Sequence, residues 1–194
     1  NNRKFVTTQS IKKLKSHLKN EALDLTKGWM LPGSNKTYNI SKLRTDEKLI
    51  EEYRDKIFYK ERWINEDGLE QRLIVTYSVK YQEYQKKIRN NQINRAKKII
   101  DTNSIKLKKT NSNDPKRFIK TLNVTKDGEL ADKSIYSIDQ NMIDEEAKYD
   151  GLYAVCTNLE DSVEDIIRVN KKRWEIEESF RIMKTDFKSR PIYH

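Results

Sequence analysis

Residues 158–194 read NLEDSVEDIIRVNKKRWEIEESFRIMKTDFKSRPIYH, a long helical pattern that decides how the rest of the chain is understood. Ile176, Phe180, Met183 and Phe187 recur at spacings of four, three and four, which predicts one buried apolar helix face. At about 100° per residue, Arg173, Glu177 and Lys184 fall within roughly 40° of one another beside that stripe. Along the axis Arg173 lies roughly 6 Å to one side of Glu177 and Lys184 roughly 10 Å to the other. Glu175 and Glu178 point elsewhere. A carboxylate between two cations on the edge of a buried face can hold a metal-bound phosphate. The same spacing also makes ordinary solvated ion pairs worth a few tenths of a kcal/mol. Geometry alone leaves both readings open.

The spacing Arg-x3-Glu-x6-Lys, set in RWEIEESFRIMK and followed by RPIY, resembles the YREK signature of bacterial insertion-sequence transposases. These are DDE-type enzymes with an RNase H-like catalytic core. The resemblance implies that Glu177 is the third metal-binding carboxylate and that Arg173 and Lys184 contact DNA phosphates. The signature tyrosine would fall at position 170, where this chain has Asn170. It further implies Mg2+ as cofactor in the complete protein, with the two aspartates that precede the glutamate lying outside this chain. The chain starts at Asn1 and is expected to be the C-terminal catalytic fragment of a larger enzyme, inactive alone.

Of 194 residues, 36% are charged and the net charge is +10, which points to a polyanionic partner. The charge is concentrated. From Val79 to Lys120 there are 13 Lys or Arg against three acids, Glu83, Asp101 and Asp114, while the remainder of the chain is balanced. Lys86, Lys87, Lys97 and Lys98 are the candidate phosphate contacts, with tyrosines and amides interleaved as suits backbone recognition more than base reading. The resemblance implies double-stranded DNA as the partner, at element ends and target, with a homodimer on paired ends as the expected assembly, and a cytoplasmic, nucleoid-associated setting in a bacterium. One cysteine excludes an internal disulfide and fits a reducing compartment. No stretch approaches the roughly 18 apolar residues of a membrane span, so no membrane partner is expected.

Taken in order, Arg3–Thr8 reads as a strand, followed by a weakly amphipathic helix from Ile11, and LPGSN at Leu31–Asn35 marks a break. Thr45–Tyr59 opens with a capping-type start and predicts a short helix. The NEDG turn at Asn65–Gly68 joins two strand-like runs, Phe58–Ile64 and Arg72–Val79. A long helix is expected from about Lys80 to Ile100, with Tyr81, Tyr84, Ile88 and Ile99 on one side. A second hairpin is signalled at Lys126–Gly128, its second strand ending at Asp139. Tyr149–Thr157 reads as a strand apolar on both faces. Patterns alone give α+β. The resemblance implies more: a partial RNase H-like core (1–19 and 149–194) interrupted by a mixed, β-rich insertion (20–148) that carries the basic helix and loop 79–120, and ending in a long catalytic helix.

Other constellations are weaker. His17 and His194 have no ligand-spaced partners, Cys156 sits in an apolar strand, and five glycines form no phosphate loop. One rival remains: Asp139 lies 38 positions before Glu177, an interval similar to that of retroviral integrases, and Asp139, Asp150 and Glu177 would form a three-carboxylate site. A non-catalytic nucleic-acid-binding remnant or accessory protein is the alternative to the enzyme.

Overall fold

Side chains of Asp46, Asp139 and Ser162 cap three of the helix starts. The computed structural model describes residues 3–66, 68–102, 113–124 and 133–185. In chain order these form β1 (Val6–Thr8), α1 (Ser16–Leu23), β2 (Trp29–Met30), β3 (Thr37–Tyr38), α2 (Glu47–Glu52), β4 (Ile57–Glu66), β5 (Leu69–Ser78), α3 (Val79–Asp101), β6 (Ile119–Val124), β7 (Lys133–Ile138), α4 (Gln140–Ala147), β8 (Leu152–Thr157) and α5 (Val163–Thr185). The fold is mixed α+β. A six-stranded sheet has the order β1-β8-β5-β4-β2-β3, and β6 with β7 makes a separate two-stranded ladder. The registers β1–β8, β2–β3, β2–β4 and β6–β7 are antiparallel.

The chain divides into two compact units, one made of the residues up to Ser41, Ile57–Thr76 and those from Tyr153 onward, the other of Lys42–Lys56 and Tyr77–Leu152. In the first unit the sheet buries both faces. Successive residues of β5 point to opposite sides, so Leu73 and Val75 line a small cavity with Leu18 and Ala22 of α1, while Ile74 packs with Val155, Val163 and Ile166. On the α1 side Lys60 is buried. Its ammonium donates to the Glu21 and Asp24 carbonyls at 2.9 and 2.6 Å, closing the C-terminal turn of α1, and lies 4.7 Å from the Trp29 ring centroid. Burial lowers its pKa, and Asp24 and Glu21 pull it back up.

α5 begins at Ser162, whose hydroxyl accepts from the Asp165 amide at 3.1 Å. Val163 and Ile166 are buried and Ile167 packs against the same cluster. Beyond them the helix is unlike what its periodicity predicts. Val169, Ile176 and Phe180 are 50%, 58% and 56% exposed, so the stripe expected to be buried faces outward over its described part. The apolar period marks a face, but burial needs a second surface, and among the described side chains of α5 those that pack on the sheet's cluster belong to its first turns. Met183 has no described side chain, and Phe187 lies outside the described residues.

Both hairpins form where turn chemistry places them, β4–β5 and β6–β7, although Lys126–Gly128 lies outside the described residues. Three local expectations need correcting. The helix expected from Ile11 is a 3-10 turn, Ile11–Lys13, then α1, because Leu14 between them has extended backbone. Tyr149–Gly151 is a turn and the last strand starts at Leu152. α4 occupies a stretch for which no element was expected, following the strand end at Asp139, whose carboxylate accepts from the Met142 amide at 3.2 Å.

Candidate nucleic-acid interface and catalytic helix

The second unit is organised along α3. Lys, Gln, Arg and Ala are strong helix formers and fill most of its 23 residues. Gln85, Arg89, Gln92 and Ala96 recur at helical spacing on the inward side. Arg89 and Asp150, each under 10% exposed, form a bidentate pair with both N···O distances at 2.5 Å, and this hydrogen bonding raises the Arg89 pKa further. Gln85 accepts from the Gly151 amide at 2.8 Å. Gln92 bonds Arg117, which grips Glu146 with two contacts at 2.6 and 3.1 Å. Arg44 donates to the carbonyls of Lys148 and Asp150 at 2.8 and 3.2 Å, satisfying backbone acceptors after α4. Gly151 has φ +80, and a Cβ there would stand 2.7 Å from the Tyr77 ring, so this position requires glycine. Tyr77 is itself fully buried, and desolvation pushes its pKa up to about 12.

This network fixes which side of α3 is left outward. It also consumes charge: Lys80 pairs with Asp55, Arg89 with Asp150 and Arg117 with Glu146, while Glu83 pairs with Arg54 at 2.8 Å. Every one of those partners lies outside the basic stretch, so the sequence count overstates the free positive field there. Lys86, Lys87, Arg95, Lys97 and Lys98 are exposed and have no acidic partner among the described residues. Adjacent helix residues diverge by about 100°, so the paired lysines do not act as pairs. Lys87 and Lys98, three turns and ~16 Å apart, form one row; Lys86 and Lys97 form another about 100° away. Arg95 was not among the expected contacts, yet helical spacing alone places it nearer the Lys87 row than Lys86 is. The expected side of Tyr81, Tyr84, Ile88 and Ile99 does share one flank, but Tyr84 and Ile88 there are exposed, not core.

α5 carries Arg173, Glu177 and Lys184 on its backbone at the expected spacing, and their side chains lie outside the described set. Of the carboxylates in the integrase-like alternative, Asp139 caps α4 and Asp150 is paired with Arg89. Among the described residues no three His, Cys, Asp or Glu side chains cluster at ligand distance. Among them, too, no helix is long and apolar enough to cross a membrane.

Residues 85–187, just over half of the chain, match the family model described as archaeal putative transposase ISC1217. No curated protein and no solved structure matches. The matched span begins at Gln85, on the docked side of α3, and ends just beyond α5, so it takes in both the cation rows and the Arg173–Glu177–Lys184 spacing. The chain therefore belongs to this family of DDE-type insertion-sequence transposases.

Proposed function

We infer that the chain serves in cutting and joining DNA at the ends of a mobile element, with Glu177 as a metal-ligating carboxylate and Arg173 and Lys184 as phosphate contacts. The observation that carries this is the coincidence, inside the one matched span, of the Arg-x3-Glu-x6-Lys helix and an α3 on which Lys86, Lys87, Arg95, Lys97 and Lys98 have no acidic partner among the described residues. In this reading 1–19 and 149–194 belong to an RNase H-like core, and the basic helix belongs to an insertion within it. Lys86, Lys87, Lys97 and Lys98 hold DNA phosphates in sequence-independent fashion.

Among the described residues no cluster of carboxylates fits a complete Mg2+ site. A hard divalent cation is held by several oxygen ligands, and a pair of ions needs converging carboxylates; Glu177 alone cannot provide them. The chain by itself is therefore expected neither to nick nor to join DNA. In protein expressed from the entire reading frame, Glu177→Ala should lower strand cleavage by more than about a hundredfold. Glu178→Ala, about 100° round the helix, should change it little. Arg173→Ala and Lys184→Ala should weaken donor-end binding as well as rate. Near-full cleavage by Glu177→Ala, or cleavage by the bare chain, overturns the assignment. For α3, the slope of log affinity against log salt should flatten by roughly 0.9 for each phosphate contact removed. A slope unchanged after Lys86, Lys87, Lys97 and Lys98 are all replaced by Gln overturns the phosphate role.

A further inference from the structure

Beside the Lys87–Lys98 row, α3 presents a flank of different character. Tyr84 is 42% exposed and Ile88, one turn on, is 40% exposed. Tyr81 lies alongside Tyr84 with ring planes 19° apart and centroids 6.3 Å apart. Arg95 continues the same flank on its exposed side. The arrangement is thus an aromatic and aliphatic shelf running parallel to a track of cations, on a helix whose opposite side is pinned by Arg89–Asp150 and Gln85–Gly151. Duplex DNA has no use for such a shelf, because its bases are stacked on each other and only phosphate and groove edges are presented. An unpaired strand has both needs: its phosphates seek cations, and its exposed base faces seek a flat apolar surface. Tyrosine serves well here, since its ring keeps one polar end in water while the face stacks.

We propose that this flank of α3 binds unpaired DNA, the backbone following Lys87 and Lys98 and a base stacking on the Tyr84 ring against Ile88. The proposal rests on the DNA-processing reading above for the identity of the strand, and adds to it a preference that phosphate contacts alone do not generate. Because stacking needs only a π-face, binding tolerates any base at that position.

The test compares a fluorescently labelled 20-nucleotide oligothymidine with a 20-base-pair duplex, by anisotropy at one fixed salt concentration, using the full chain. Tyr84→Ala should weaken binding of the single strand by about tenfold and of the duplex by less than about twofold. Tyr84→Trp should restore single-strand affinity, which excludes a folding defect. The double variant Lys87→Gln/Lys98→Gln should weaken both ligands. Equal losses on both ligands in Tyr84→Ala, no loss on the single strand, or failure of Tyr84→Trp to restore it overturns the shelf. Should the lysine variant leave duplex affinity unchanged while Tyr84→Ala still acts on the single strand, the phosphate role of this row fails and the stacking site stands.

Discussion

The two 23-residue helices, α3 and α5, solve the problem of holding a polar surface in opposite ways. α3 is tied along much of its length, through Lys80, Glu83, Gln85, Arg89 and Gln92, to ion pairs and amide contacts. α5 repeats apolar residues at helical spacing, yet among its described side chains the buried ones are Val163 and Ile166 in the first turns, and Val169, Ile176 and Phe180 lie open. Apolar spacing alone therefore does not anchor a helix. What decides is whether another surface lies within reach, and for α3 that surface is polar and complementary group by group. The outward side of α3 is consequently as well defined as a core position.

The largest expected effect breaks that anchoring. Arg89→Ala should destabilise the protein by about 3–5 kcal/mol, because it leaves the Asp150 carboxylate buried without its partner, as read by urea denaturation. Replacing both, Arg89→Met with Asp150→Leu, should recover most of the loss; if it does not, the pair specifies geometry that packing cannot replace. Ile166→Ala comes next, at about 2–5 kcal/mol for a core cavity, and tests the anchored end of α5. A pH series follows. The Cys156 thiol is raised from 9.0 to about 11 and the Tyr77 hydroxyl from 10.0 to about 12, both chiefly by burial. Both are raised in the folded state, so their contribution is intact below pH 9 and is lost as pH climbs toward 12. Lys60, lowered by burial, acts in the opposite sense over the range below its ordinary 10.5. Cys156→Ala and Tyr77→Phe should each flatten the alkaline fall of the urea midpoint, and an unaltered fall would show those groups solvated. The smallest effect is the sharpest contrast with Ile166: Phe180→Ala should cost less than about 0.5 kcal/mol, as an exposed position does. A cost near that of Ile166 would mean that the distal stripe of α5 is covered in solution.

How much could be read beforehand follows from the range of the interactions involved. The long helix after β5, the β4–β5 turn, the capped start of α2 and the strand pair β6–β7 were legible because each is specified by neighbours in sequence: a β-branched run, a turn residue, an aspartate before a helix. α4 and the tiny strands β2 and β3 were not, since two residues of strand have no period and Asp139 serves equally well as a strand end or a cap. Of the candidate site, the spacing on α5 and the cations of α3 were visible in the residues themselves. The pairing of lysines into rows by 11 instead of by adjacency was available from helical geometry. That Arg89 is buried, and that it and Arg117 are ion-paired, was not.

The sequence by itself determined the family, the concentration of positive charge on one helix and the order of most elements, because motif spacing, composition and local propensity need no third dimension. Only the tertiary structure decided which of those charges are paired, that Asp150 is a salt-bridge partner of Arg89, and that Val169, Ile176 and Phe180 of α5 are exposed while Val163 and Ile166 are buried. These outcomes depend on residues far apart in the chain, such as Arg89 and Asp150 or Ile74 and Ile166, being brought within contact distance, and no local pattern encodes the distance between them.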